Sequence, residues 1–490
     1  MNKIFCAVLN GLLVTFSQFS EAAERPNIVL IFTDDLGYGD LACFAETKIR
    51  TPNIDRLASS GTQFTDFYVA QAVCSASRAA LMTGCYANRV GMAGALNHTS
   101  PAGINPDEQL LPEILQEHGY ATGIFGKWHL GLPPYFSPLK HGFDEWLGIP
   151  YSNDNSKYHP VLADSMPPLP LYDGDEVIAT DFDQAQFTQV LTERAIAFID
   201  EHADRPFFLY VPHIMPHVPI FASDRFKGKS ATGLYGDVIE EIDWSVGEIV
   251  GAIDRHGLTE NTLVIFCNDN GPFLSYGKHA GSAGPLREGK LTAFDGGVCV
   301  PTIMRWPGKI TAGRQCDTPL MTIDFLPTLC SLVGAELPAN PIDGVDVSEV
   351  LLDQTKEEPH QFLAFYSGTE LHAVRMGQWK LHFPHPYLTV IEGEPRNDGK
   401  PSGFGTLTPK SITESGVEGI ASRHGYRVAQ LPLSLYDLAN DEGEQTDVSA
   451  SHPEIVAKLT LVADSIRRDL GDSLTGVDGK GNRPSGNNGL

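Results

Sequence analysis

Two short segments of the chain concentrate oxygen ligands. Thr33-Asp34-Asp35-Leu36-Gly37-Tyr38-Gly39-Asp40 sets two carboxylates side by side among glycines. Adjacent carboxylates repel, so together they favour a hard cation, and glycine lets the backbone come close to it. Taken alone, the same residues read equally well as an Asx turn with solvated acids. Asp269-Asn270-Gly271 adds a carboxylate and an amide oxygen, although Asn-Gly is also a common turn. Combined, Asp34, Asp35, Asp269 and Asn270 make a plausible ligand set for Ca2+ or Mg2+.

Other segments carry a nucleophile, bases and cations. Cys74-Ser75-Ala76-Ser77-Arg78-Ala79-Ala80-Leu81-Met82-Thr83-Gly84 joins a cysteine to an arginine four residues on. A lone cysteine is ordinarily a small buried hydrophobe or half of a disulfide, and here the flanking Ser-x-Ser-Arg sets it apart. In Gly126-Lys127-Trp128-His129-Leu130-Gly131, Lys127 and His129 alternate along an extended segment, which predicts both on one face. The competing reading of His129 is a satisfied structural histidine. Met215-Pro216-His217-Val218-Pro219 holds a further histidine, with His213 close by.

The elements that must position these residues read as strands and helices in alternation, the form of a layered α/β fold. Residues 28–32, 121–125, 207–211 and 263–267 predict buried strands; 51–61, 107–118, 187–202 and 234–256 predict helices between them. Each of the four strands runs directly into polar residues: Asp34 and Asp35, Lys127 and His129, His213 and His217, Asp269 and Asn270. Ligands of open α/β sheets bind beyond the carboxyl ends of the strands, so four distant loops are expected to converge.

Composition bounds the reading. With 42% hydrophobic and 20% charged residues in 490, the chain is an ordinary globular protein with room for a large core. Lys3, the apolar run 4–16 and Ser20-Glu21-Ala22-Ala23 predict a secretory signal peptide over residues 1–23, and hence a secreted or periplasmic protein. Cleavage removes Lys3, Glu21 and Cys6, so the net charge stays at −26 and an odd number of cysteines remains: Cys43, Cys74, Cys85, Cys267, Cys299, Cys316 and Cys330. An odd count in an exported protein flags one thiol with separate chemistry. The acidity argues against nucleic acid and anionic membrane as partners. It would also repel a polyanionic substrate at long range, so any such substrate must be captured by local cations or a metal.

The segment around Cys74 resembles the nucleophile motif of the type I, formylglycine-dependent sulfatases, Cys-x-Pro/Ala-Ser-Arg. The resemblance extends over residues 26–39, 51–61, 126–131 and 268–301, most of the large domain. It departs from the family at Ala76, where many members have Pro, and at Cys85, where the Leu-Thr-Gly-Arg extension has Arg. What it implies is an alkaline-phosphatase-like fold. Cys74 would be converted to formylglycine by a maturation enzyme and would lie at a helix start, where N–H groups favour an anion. Sulfate esters of a carbohydrate or aryl group would be cleaved through a covalent sulfo-enzyme intermediate. Arg78 would orient the formylglycine hydrate, and Lys127 would bridge it to a sulfate oxygen. His129 would remove a proton from its second hydroxyl, protonated His217 would meet the leaving oxygen, and His213 would compete for that role or bind substrate. Lys290, in Leu286-Arg287-Glu288-Gly289-Lys290-Leu291-Thr292, matches the last catalytic lysine and rests wholly on the resemblance. Asp34, Asp35, Asp269 and Asn270 would hold Ca2+ with residue 74 at its edge, and Asp269 would assist deprotonation of the attacking hydroxyl.

The expected architecture is a large, mostly parallel α/β sandwich over residues 24–360 and a smaller antiparallel sheet with a helix over 361–470. Residues 363–366, 371–376, 379–383 and 433–438 read as strands of the smaller unit and 453–470 as its helix. A loop rich in Gly, Pro and Ser fills 392–425, with His382, His385 and Arg396 near it as solvated side chains within reach of a sugar. The tail 471–490 reads as disordered. Two rival functions share these features: a phosphonate or phosphodiester hydrolase on the same scaffold, and a non-catalytic carbohydrate-binding relative. Intact Cys74, Lys127, His129 and Asp269 count against the second.

Overall fold

The computed structural model describes residues 25–489; the signal-peptide segment 1–23 lies outside the described residues. A ten-stranded sheet runs in the order Arg314–Cys316, Thr62–Phe64, Thr302–Arg305, Thr262–Asn268, Asn27–Thr33, Phe207–Pro212, Ala121–Lys127, Glu145–Ile149, Pro170–Asp173 and Glu176–Thr180. The five strands from Thr262–Asn268 to Glu145–Ile149 are mutually parallel. Antiparallel pairs flank them, so the sheet is mixed, with a parallel centre.

The four strands expected to carry the site are adjacent at that centre and wholly buried. Their apolar runs supply both faces, as parallel strands covered by helices require. Alternate residues separate into two cores: Ile28, Leu30 and Phe32 with Leu263 and Ile265 on one face, Val29 and Ile31 with Val264 and Phe266 on the other. Each such aliphatic side chain contributes roughly 1.5–3 kcal/mol on burial. Helices Pro52–Ser59, Phe187–Glu201 and Leu234–Arg255 cover the second face, while Cys74–Thr83 and Phe325–Val333 cover the first.

The C-terminal unit packs on the first face. Its four-stranded antiparallel sheet runs Leu363–Ser367, Glu370–Met376, Trp379–His382 and Ser434–Asp437, backed by helix Pro453–Leu470 through Leu459, Ala463 and Ile466. The region read as a structureless loop contains helix Gly416–His424, and a hairpin pairs His385–Val390 with Tyr426–Leu431. Short periodicity broken by Gly and Ser concealed that helix.

The expectation of a disordered tail is corrected. Gly486–Asn487 pairs with Ala102–Gly103, and Arg483 Nε donates to Glu108 Oε1 at 2.6 Å. Arg89 binds both Asp343 and Asp469 at 2.6 Å. Charge pairs from distant segments anchor a stretch whose own composition carries no periodic signal. His382 and His385 are likewise interior to the small sheet, not solvated; His382 Nε2 meets Glu444 Oε1 at 2.9 Å and His385 stacks on His372. Arg396 is paired with Asp398.

Candidate active site

Register brings the two ligand loops together. Thr33 pairs with Asn268, so Asp34 and Asp269 leave neighbouring parallel strands at one level. Asp35 N donates to Asp269 Oδ1 at 3.2 Å, and Asp35 holds a left-handed φ of 67°, uncommon for a residue with a Cβ. Asn268, which the motif reading did not single out, ties the loops: its Oδ1 accepts from Thr33 Oγ1 and Leu36 N, and its Nδ2 donates to Leu36 O. A polar residue closing an apolar strand just before Asp269 was the available signal.

Cys74 opens helix Cys74–Thr83, and no side chain caps that end. The free N–H groups and the helix dipole therefore face whatever binds beside residue 74. Its Sγ lies 3.4 Å from Asp34 Oδ1 and 3.3 Å from Lys290 Nζ. Arg78, one turn on and fully buried, places Nη2 at 2.8 Å from Asp269 Oδ2 and 3.3 Å from Asp34 Oδ2, while Nη1 donates to Lys127 O.

Lys127 ends its strand with Nζ 2.5 Å from Asp34 Oδ2 and 2.8 Å from Ser152 Oγ. Strand alternation does not orient His129: the strand stops at Lys127, and His129 has φ 61°. Its Nε2–H donates to Leu96 O at 2.8 Å, leaving Nδ1 without a protein partner. Burial and Lys127 hold its pKa well below the usual histidine range, so the ring is neutral with a free lone pair.

Lys290 Nζ lies 2.6 Å from Asp35 Oδ1. Its backbone N donates to Pro272 O, and Gly289 beside it leaves no room for a side chain, since a Cβ would meet Pro272 O at 2.4 Å. His217 Nε2 is 3.7 Å from Asp35 Oδ2, and its Nδ1–H donates to Val218 O at 2.6 Å, with Asn153 Oδ1 at 3.2 Å. Burial, aided by Lys290, pushes His217 down to about 3, so the expected protonated form is corrected to a neutral ring with its lone pair on Nε2. His213 is not among the cavity walls; it is buried against Ser245.

Three carboxylates and three cations are thus interleaved without solvent. Burial, with repulsion from Asp34 and Asp269, raises Asp35 to about 7 against the pull of Lys290. Burial and Asp34 raise Asp269 as well, whereas Lys127 and its fellow cations hold Asp34 well below the usual range despite burial. Asp35 Oδ2 and Asn270 Oδ1 have no partner. Ligand atoms of Asp34, Asp35, Cys74 and His217 lie within 4.8 Å of one another. Unpaired oxygens beside a strained carboxylate fit a hard divalent cation.

Above Cys74 opens a cavity of about 450 Å3, walled by Cys74, His129, His217 and Lys290 on one side and by parts of the C-terminal unit on the other. That volume suits a small-molecule ligand. Of the sequence candidates, Asp34, Asp35, Asp269, Asn270, Cys74, Arg78, Lys127, His129, His217 and Lys290 are joined in one cluster of contacts and cavity walls; Ser152 and Asn153 join them unforeseen.

A mixed sheet whose parallel centre delivers buried carboxylates, cations and a helix-start cysteine to one cavity defines an alkaline-phosphatase-like hydrolase. The chain belongs to the sulfatase family: the Sulfatase model matches residues 26–335, and the model for the C-terminal region of aryl-sulfatase matches 358–478. It is 42% identical to Arylsulfatase A of Bos taurus over 460 residues, covering 89% of this chain and 85% of that protein. It is 37% identical to N-acetylgalactosamine-6-sulfatase of Canis lupus familiaris, covering 91% and 86%. A solved structure of Ps i-CgsB in complex with k-i-k-neocarrahexaose is similar with a TM-score of 0.71 at 29% identity, covering 90% and 92%. The protein is a sulfatase, an enzyme acting on sulfated substrates.

Proposed function

We propose that this sulfatase removes sulfate from a sulfated carbohydrate, using formylglycine at position 74 and Ca2+, and that it works outside the cytoplasm as a secreted or periplasmic enzyme. The observation that carries the reading is the contact of Cys74 Sγ with both Asp34 Oδ1 (3.4 Å) and Lys290 Nζ (3.3 Å) beneath the cavity. Among the described residues no helix is long and apolar enough to cross a membrane, in keeping with that location. The N-acetylgalactosamine-6-sulfatase relative and the carrageenan complex support a sugar substrate.

Formylglycine, made from Cys74 by a maturation enzyme and hydrated, would supply two geminal hydroxyls, one as nucleophile toward sulfur and one whose deprotonation would release sulfate. Asp34, Asp35, Asp269 and Asn270 would hold a Ca2+ ion, which would supply positive charge for the sulfate oxygens and lower the pKa of a hydroxyl beside it. Lys127 and Lys290 flank residue 74 with further positive charge fixed before substrate arrives, which is where electrostatic catalysis is strongest. Arg78, anchored on Asp269, keeps the residue 74 end of its helix in place. His129 presents the Nδ1 lone pair that accepts a proton at the hydrate, and its Nε2–H is tied to Leu96 O so that the tautomer cannot change. His217 donates to the leaving oxygen from Nε2 only when doubly protonated, a state the negative charge of an arriving sulfate favours.

Mass spectrometry of the peptide containing residue 74, together with turnover of defined sulfated saccharides, tests this reading. We expect the aldehyde at position 74, desulfation of at least one sugar, and loss of turnover in a folded Cys74→Ala variant. Normal turnover by that variant would remove residue 74 as the nucleophile.

A further inference from the structure

The wall of the cavity facing residue 74 carries three polar side chains that the chemistry above does not use. Asp154 is 8% exposed and Arg423 4%; His424 completes the set from the same helix, Gly416–His424. Asp154 Oδ1 accepts from Asn155 Nδ2 at 2.9 Å. The basic side chain within pairing range of Oδ2 is His159, whose Nε2 lies at 3.9 Å, beyond a hydrogen bond. His159 accepts backbone N–H groups of Val161 and Leu162 on Nδ1, so its proton sits on Nε2, which has no partner either.

The donors are equally incomplete. Arg423 commits Nη1 to Ser411 O (2.6 Å) and Glu414 O (2.9 Å), and its Nε is buried without a partner. Tyr276 Oη and His424 Nδ1 share a hydrogen bond of 2.8 Å; with the hydroxyl as donor, the His424 proton stands on Nε2. Buried polar groups of native proteins are nearly always paired. An unpartnered buried donor, Arg423 Nε, beside cavity-lining Asp154 and His424 therefore suits a ligand with several hydroxyls.

We propose that Asp154, Arg423 and His424 form a recognition subsite that reads unsubstituted hydroxyls of the sugar ring bearing the sulfate. Asp154 accepts from one hydroxyl, and Arg423 Nε and His424 Nε2 donate to ring-hydroxyl oxygens. A carboxylate or second sulfate in place of the hydroxyl read by Asp154 meets like charge and loses the hydrogen bond. An aryl or steroid sulfate leaves all three groups unpaired, and sites built to hydrogen-bond a hydroxyl discriminate strongly against ligands that lack it. The subsite rests on the sulfatase reading above and adds to it the class of sugar.

The test compares kcat/KM for 4-nitrophenyl sulfate, N-acetylgalactosamine 6-sulfate and its 3-deoxy and 4-deoxy analogues. In Asp154→Asn, and separately in Arg423→Gln, we expect the sugar-to-aryl ratio to fall about 10- to 100-fold. In Asp154→Ala one deoxy analogue should lose no further rate, because substitution and deletion remove the same contact. Equal losses on sugar and aryl sulfates, or additive losses with both deoxy analogues, would overturn the subsite. Absence of turnover on every sulfate counts against the sulfatase chemistry instead. The subsite is then judged by calorimetry with N-acetylgalactosamine: at least tenfold weaker binding to Asp154→Asn supports it, and unchanged binding overturns it.

Discussion

Lys290 Nζ stands 3.3 Å from Cys74 Sγ while holding Asp35 Oδ1 at 2.6 Å. One ammonium group is therefore shared between the residue proposed as nucleophile and a carboxylate proposed as metal ligand. Removing it alters the charge felt by both.

Lys290→Ala should lower kcat by about 10²–10³ on an aryl sulfate, the size of losing one preorganised electrostatic donor. Lys290→Arg should recover only part of this, since the guanidinium is larger and forked. Steady-state kinetics on both variants decide it; a loss below threefold in Lys290→Ala would make the lysine a structural ion-pair partner alone.

Arg78 binds Asp269 and Asp34 without solvent. Arg78→Ala leaves Asp269 buried without its cation, while Asp34 keeps Lys127, and it should cost about 3–5 kcal/mol of stability. Urea unfolding monitored by fluorescence measures the change, and a cost under 1 kcal/mol would show that water enters freely.

Chelation of divalent ions should lower the Tm, and added Ca2+ should restore it. At a hundredfold excess over Kd the stabilisation is about 2.7 kcal/mol. In Asp35→Asn the Ca2+-dependent rise should shrink or vanish, because the unpaired carboxylate charge of Asp35 is gone. A full Ca2+ response in that variant would place the ion elsewhere.

Asp243 caps helix Pro52–Ser59 by accepting from Asn53 N, Asn53 Nδ2 and Ile54 N. Burial raises it to about 6, above an unfolded value near ~3.9. Folding therefore favours its protonated form: this contribution is complete below about pH 4 and is lost as pH rises through about 6. Asp243→Asn should flatten the fall of stability across that window in chemical denaturation at stepped pH. An unchanged slope would mean that another group dominates it.

Much of the site was legible because parallel strands place chemistry where they end. Asp34, Lys127, His217 and Asp269 each follow an apolar run, and apolar runs are the clearest sequence signal. Arg78 and Cys74 share a helix face by their spacing. What escaped notice depended on partners far along the chain. Asn268 looks like the end of a strand until Leu36 is beside it, and Ser152 and Asn153 look like an ordinary turn. His217 was read as protonated, whereas burial favours the neutral ring before substrate arrives, and spacing says nothing of burial. Helix Gly416–His424 hides in a Gly- and Ser-rich segment, and only packing against Tyr276 reveals its last residue as part of a cavity wall.

The closing segment, stitched by Arg483 to Glu108 and by Gly486–Asn487 to Ala102–Gly103, ties two stretches 375 positions apart at the Arg483–Glu108 pair. Removing residues 481–490 would take away Arg483 and its neighbouring strand together, and would leave Glu108, nearly buried, without its guanidinium.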